Sequence, residues 1–139
     1  MPEFHAYAFP IAHISPLREG IPTYIMRRFE LYQYLKTVEK YQITETPMVP
    51  AMMHMILKKW SSSRPNFFSN PLSTLKLVWC AGSPLDERTQ ENMYRLLDPS
   101  ARVVQVWGMT EAGWISTFLW PEKDHTASVG RLLPGMEAK

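Results

Sequence analysis

Apolar positions along this chain change period several times, and each change predicts an element. Over residues 30–41, Leu31, Tyr34, Leu35, Val38 and Tyr41 recur at spacings of three and four, the signature of an amphipathic helix. Residues 51–60 repeat it with Met52, Met53, Ile56, Leu57 and Trp60. Between them, residues 43–49 predict a short strand, where Pro47 argues for an edge or a bend. Residues 21–26 are β-branched and aromatic, which predicts a further strand with Pro22 near its start. Residues 61–66 have loop composition.

The second half is more sharply punctuated. Residues 75–80 predict a strand that ends at Ala81 and Gly82. Ser83 then stands as the helix N-cap, Pro84 at the first helical position and Asp86 three residues after the cap, as in a capping box. That helix is expected to run to about Leu97, burying Leu85, Met93, Leu96 and Leu97, and to stop at Asp98 and Pro99. Residues 102–107 predict the next strand, Gly108 its turn, and residues 114–119 another strand. The alternation predicts one α/β domain over residues 1–139, a largely parallel sheet with helices on both faces. Ligands of such sheets bind outside the carboxyl ends of the strands. Here those ends are residues 80–83 and 107–111.

Composition adds limits. With 139 residues, 45% apolar and 20% charged, the chain suits one folded domain burying about two-thirds of its unfolded surface. Fifteen basic against thirteen acidic side chains give +2 with no basic run, so no nucleic-acid partner is implied. One cysteine rules out an internal disulfide framework and suggests a reducing compartment. No apolar run of about 18 residues and no signal-peptide pattern occurs, so a cytoplasmic protein without membrane association is expected. Nine methionines and five tryptophans make the apolar surface bulky and adaptable, in a core or at a binding face.

Both strand ends offer candidate chemistry. At residues 80–83, small side chains let a ligand approach the backbone, and amides at the following helix start can face an anion. A tight turn needing small residues explains them equally well. At residues 107–111, Trp107 can stack on a flat ring, Thr110 can donate to a phosphate and Glu111 can hold Mg²⁺. A turn with a buried tryptophan and a solvated acid is the plainer explanation. His5, His13, His54 and His125 form no ligand-spaced pair, and neither a phosphate-loop motif nor G-x-S-x-G occurs. Cys80 is a nucleophile only if its pKa is depressed, and burial makes a structural role the better expectation.

Taken in order, these segments resemble the adenylate-forming superfamily, in particular acyl- and aryl-CoA ligases such as 4-coumarate–CoA ligase. Pro2-Glu3-Phe4-His5 resembles the family's P-x-F-H motif, and Cys80-Ala81-Gly82-Ser83-Pro84-Leu85 its S-G-A-A-P-L turn. Residues 105–111, Gln-Val-Trp-Gly-Met-Thr-Glu, resemble Q-G-Y-G-M-T-E, and Ser128-Val129-Gly130 with Pro134-Gly135 resembles the stretch that follows. The resemblance implies that His5, Val106, Gly108 and Met109 line the pocket of a small acyl or aromatic carboxylate. It implies that Gly82, Ser83, Pro84 and Trp107 neighbour adenine, Thr110 the phosphate and Glu111 a Mg²⁺ ion, with His5, Thr110 and Glu111 as the catalytic set. Val106 and Ala81 replace family glycines, and their added methyl groups should narrow or reshape the acyl site.

ATP or AMP with Mg²⁺ are therefore the implied cofactors. CoA is not expected as a ligand of this chain. The family's Ser/Thr/Gly-rich phosphate loop, its ribose-binding aspartate and its C-terminal domain with a catalytic lysine have no counterpart in these 139 residues. The chain opens at a family motif and ends at residues 137–139 within the expected sheet, which suits a truncated ligase without independent activity. Two other expectations stand beside it. One is a repurposed fold that binds an acyl or aromatic ligand, a partner protein or a second copy. The other is an ATP-independent enzyme of isomerase, cyclase or lyase type that uses His5 as acid or base.

Overall fold

A computed structural model describes residues 2–62 and 70–139. The chain enters through a π-helical turn, Pro10–Ile14, that runs into α1, Ser15–Glu19, and stops at Gly20 in the left-handed conformation. Then come α2 (Leu31–Tyr41), β1 (Glu45–Met48), α3 (Pro50–Ser62), β2 (Leu77–Cys80) and α4 (Glu87–Tyr94). Strands β3 (Arg102–Met109), β4 (Gly113–Thr117) and β5 (Arg131–Leu132) follow. The five strands form one sheet in the order β1-β2-β3-β4-β5. The first three run parallel, and β4 and β5 are antiparallel additions.

The period-two pleat sorts the strands into two faces. Thr46, Met48, Val78, Cys80 and Val103 look towards α2, α3 and α4, and most of them join Leu35, Val38, Met53, Ile56, Met93 and Leu97 in the main core. The opposite face carries Trp79, Val104 and Val106. Tyr7 and Ile11 of the N-terminal helical segment pack there, with Trp114 of β4. Helices thus cover both faces of a mixed sheet whose parallel half is β1 to β3.

Pro47 sits in the edge strand, where its missing N–H leaves no ladder bond unmade. α2 begins where expected because Glu30 accepts from the amides of Tyr32 and Gln33 at 3.1 and 2.7 Å.

Five expectations fail locally. Residues 21–26 are not a strand: they line the same apolar cavity as the free edge of β1 without pairing to it, since β propensity alone does not make a strand. Tyr24 of that segment stacks on Tyr41 instead, with ring centroids 4.3 Å apart. α4 is capped by Asp86, not Ser83. The Asp86 carboxylate accepts from the Thr89 amide at 2.9 Å and its hydroxyl at 2.7 Å, so Ser83 and Pro84 lie outside the helix in irregular backbone. That helix ends at Tyr94, and Leu96 and Leu97 enter the core from the following turn. Gly108 is inside β3 and not its turn. Finally, Ser61 and Ser62 close α3, with both hydroxyls bonded back to helix carbonyls, while residues 63–66 lie outside the described residues.

Candidate functional site

At the carboxyl ends of β2 and β3 the structure opens a cavity of about 630 Å³. His5, Gly82, Ser83, Pro84, Val106, Trp107, Gly108, Met109, Thr110 and Glu111 all line it, so the residues singled out in three separate segments meet in one place. The N-terminal segment contributes His5, the turn after β2 the next three, and the end of β3 with its turn the rest.

β3 supplies most of the wall because it changes partner midway. Arg102 to Gln105 pair parallel with β2, and Val106 to Met109 pair antiparallel with β4. A register shift between Trp107 and Gly108 bends the strand there. The bend requires glycine: a Cβ at Gly108 would collide with the Gly113 carbonyl oxygen and lie 3.2 Å from Trp114 Cα. Trp107 is therefore turned outward and 44% exposed, a free aromatic face on the cavity wall. This corrects the expectation of a tryptophan hidden in a turn. Thr110 and Glu111 are exposed beside it.

The turn after β2 keeps its backbone open. Gly82 takes φ +92°, in the left-handed region that favours glycine, and Gly82, Ser83 and Pro84 are all exposed. Since α4 starts at Glu87, this turn lines the cavity as irregular backbone and not as a helix terminus.

Gln105 holds that turn in place, a role the sequence did not announce although the residue lies in the motif. It is buried, and its Oε1 accepts from the Leu85 amide at 2.8 Å while its Nε2 donates to the carbonyls of Ala127 and Ser128. Ala127 and Val129 thereby complete the cavity wall. The available signal was a polar residue at a strand position whose neighbours are all apolar.

Tyr7 and Trp114 were also missed. The Tyr7 hydroxyl donates to the Trp79 carbonyl at 2.6 Å, and Trp114 Nε1 donates to the Tyr7 carbonyl at 3.0 Å. Burial first, then the neighbouring Cys80, pushes the Tyr7 phenol well above its ordinary pKa, so it stays a neutral donor. The Tyr7 amide donates to His5 Nδ1 at 3.2 Å. With Nδ1 accepting, a neutral His5 carries its proton on Nε2 and offers the cavity a donor.

Cys80 is fully buried on the helix side of β2, and burial pushes its thiol up to about 12. It is no nucleophile at neutral pH. Among the described residues no group of three or more His, Cys, Asp or Glu could hold a metal. Glu111 is thus a single carboxylate, which fits a Mg²⁺ ion that keeps its waters and is held chiefly by nucleotide phosphates.

A cleft at the carboxyl ends of parallel strands, with an exposed aromatic wall, is where the ligands of open α/β sheets bind. More narrowly, the AMP-binding enzyme family matches residues 1–139, and the chain belongs to it. It is 50% identical over 140 residues to a phenylacetyl-CoA ligase of Aspergillus niger, covering 100% of this chain and 25% of that protein. A nicotinic acid-CoA ligase of Penicillium canescens is 32% identical over 139 residues, covering 100% of this chain and 24% of that protein. The chain therefore spans about a quarter of the length of the curated relatives it matches. Among solved structures, a long-chain-fatty-acid-CoA ligase from Archaeoglobus fulgidus superposes with TM-score 0.81 at 25% identity, over 95% of this chain and 27% of that one. A malonyl-CoA ligase with methylmalonyl-CoA and AMP bound shares the fold at TM-score 0.79 and 22% identity, over 97% of this chain and 28% of that one. No helix among the described residues is long and apolar enough to cross a membrane.

Proposed function

We propose that this chain forms the acyl and adenine walls of an AMP-dependent acyl-CoA ligase. On this reading it binds a carboxylic acid and AMP but does not complete adenylate or thioester formation by itself. The observation that carries the proposal is the convergence of His5, the turn of Gly82 to Pro84, and the β3 end from Val106 to Glu111 on one cavity. Trp107 offers the adenine a flat apolar face, and the open backbone at Gly82 and Ser83 offers its edge hydrogen-bond partners. Val106 and Met109 supply the apolar wall for the acid, and His5 Nε2 a donor for its carboxylate. Thr110 supports the phosphate through its hydroxyl.

Mg²⁺, when bound with a nucleotide, shields phosphate charge, and Glu111 is the carboxylate this chain offers it. Adenylation needs much more charge stabilisation on a triphosphate than one threonine provides. The 139 residues hold neither the family's phosphate loop nor its catalytic lysine, which is why turnover is not assigned to them alone.

Titration of AMP and of ATP with Mg²⁺ against tryptophan fluorescence tests this, with Trp107→Phe as control. Saturable quenching that disappears in the control, without pyrophosphate release from ATP, is the expected result. No saturable change up to roughly millimolar nucleotide, about 4 kcal/mol of binding, would overturn it.

One observation favours a second reading. A separate apolar cavity of about 300 Å³ lies between the N-terminal helical segment, α2 and the free edge of β1. A binding module for an apolar molecule would use that cavity without any nucleotide, and would respond to apolar acids when AMP produces nothing.

A further inference from the structure

Ala127 lines the cleft at φ +54°, in the left-handed region where a Cβ is costly and glycine is the default residue. Its backbone keeps that conformation because it is held at both ends. Gln105 of β3 donates through Nε2 to its carbonyl, and Gln90 of α4 accepts through Oε1 from its amide at 3.1 Å. Gln90 is fully buried, with both polar atoms of its side chain in use. Nε2 donates to the Val103 carbonyl at 2.9 Å and to Asp124 Oδ2 at 3.0 Å. Two acceptors face Nε2 and one donor faces Oε1, so the amide group has one orientation only. Asp124 then bends the chain towards Ala127, its Oδ1 accepting from the Thr126 amide at 2.9 Å and hydroxyl at 2.7 Å. Two neighbours of Gln90 on the same face of α4 reinforce the grip. Glu91 Oε1 lies 3.1 Å from His125 Nδ1, and the Tyr94 hydroxyl donates to the Asp124 carbonyl at 2.8 Å.

Of these residues only Ala127 and Gln105 line the cleft; Gln90 and Asp124 stand behind it. Resting on the nucleotide-site reading above, we propose that Gln90 is a positioning residue for the cleft, holding Ala127 left-handed and so setting the wall of Ala127 and Val129 against which AMP binds. The far side of that wall is fixed to β4, where the Ser116 hydroxyl donates to the Val129 carbonyl at 2.9 Å. An alanine released by Gln90 relaxes to negative φ and redirects the near side, so the wall between the two tethers changes shape. The device is needed because residue 127 is alanine. Ala127→Gly takes a positive φ without being held, which gives the proposal a signature that general destabilisation does not share.

The experiment compares the whole chain as wild type, Gln90→Leu, Ala127→Gly and the double variant. AMP is titrated against tryptophan fluorescence, and urea midpoints are measured. In the two forms that keep Ala127, the nuclear Overhauser effect between its amide and α hydrogens is recorded as well, because a positive φ brings those two hydrogens together. Wild type should show a strong effect. Gln90→Leu should lose it and bind AMP about tenfold more weakly, the scale set by the left-handed cost of a residue with a Cβ. Adding Ala127→Gly to Gln90→Leu should recover most of that affinity, and the same change in the wild-type background should gain much less. The urea midpoint of the double variant should stay low, since the Val103 carbonyl and the Asp124 carboxylate still lack the Gln90 amide. Affinity that returns without stability separates positioning from loosening. Gln90→Asn, polar but one methylene short of the Ala127 amide, takes the place of Gln90→Leu should that variant not fold.

A folded Gln90 variant that keeps the strong effect at Ala127, or that binds AMP as wild type does, would overturn the role of Gln90 and leave the nucleotide site standing. So would a loss of affinity that Ala127→Gly does not recover. Silence of the wild type towards AMP would instead overturn the nucleotide reading, and this proposal with it.

Discussion

Gln105 holds Ala127 in a backbone conformation that alanine seldom adopts. Ala127 has φ +54°, and Gln105 Nε2 donates to its carbonyl while Gln90 Oε1 accepts from its amide at 3.1 Å. Both glutamines are buried, Gln90 completely. The same Gln105 side chain bonds the Leu85 amide, so one residue joins the turn after β2 to the segment after β4. Replacing Gln105 with Leu leaves that amide and the Ala127 carbonyl unpaired at a buried place. Stability should fall by about 1–3 kcal/mol, measured by urea unfolding. AMP affinity should fall with it, because the Gly82 to Pro84 wall loses its anchor. An unchanged unfolding midpoint would show that the link is dispensable.

Gly108 predicts a different kind of failure. Its replacement by Ala places a methyl against the Gly113 carbonyl and the Trp114 Cα, both of them backbone and neither able to rotate away. The cost should be about 1–3 kcal/mol. Shifting of the β3–β4 register should also change the near-ultraviolet signal of Trp107 and Trp114. Gly113, whose Cβ position is open, provides the comparison: Gly113→Ala strains only a positive φ of 71°. It should perturb those tryptophans less.

Acid stability should depend on Asp124. Burial raises its pKa, but hydrogen bonds from the Gln90 amide, from the Thr126 amide and hydroxyl, and from the His125 backbone outweigh it and hold the carboxyl below its ordinary value. A folded value below the unfolded one, about 3.9, contributes stability that is fully present above that pH. It is lost as pH falls through the folded value. Asp124→Asn should therefore be less stable than wild type at pH 7 and show a flatter loss between about pH 5 and pH 2. Parallel acid limbs for the two proteins would contradict this.

Cys80 gives the clearest chemical prediction. With its thiol pushed up to about 12 and no exposed surface, it should not react with iodoacetamide at pH 8 in the folded protein, and should react readily in 6 M urea. Rapid alkylation of the native chain would mean that the end of β2 opens far more than its packing implies.

The elements legible in the sequence are those where a local signal and a tertiary one agree. α2 and α3 announced themselves by their stripes, and those stripes are the faces that pack on the sheet. Pro47 marked the edge strand correctly because a missing N–H is tolerated only there. Where signals competed, sequence reading chose the local one. Ser83 followed by Pro84 looks like a helix start, but Leu85 turns its amide to Gln105, twenty residues away, and the helix waits for Asp86. Residues 21–26 have the right composition for a strand but form no ladder with the β1 edge whose cavity they line. The site residues were legible only through motif order. Nothing in local periodicity says that Trp107 faces outward; that depends on the shift in register at Gly108. Tyr7 and Gln105 escaped notice because their importance lies in bonds to distant main-chain atoms.

The change of partner along β3 has a consequence for how the molecule moves. Its first half is locked to β2 and the helices, while its second half belongs to β4, which in turn holds only the two-residue β5. The cavity wall lies on the second half. A molecule pressed against Trp107 and Thr110 should therefore restrain the β4 arm of the sheet and leave the β2 arm as it was. Amide exchange should slow in β4, whose Ile115, Ser116 and Thr117 are absent from the cavity wall, while Val78 in β2 keeps its rate. Occupancy of the cleft would thus be readable from residues it never meets.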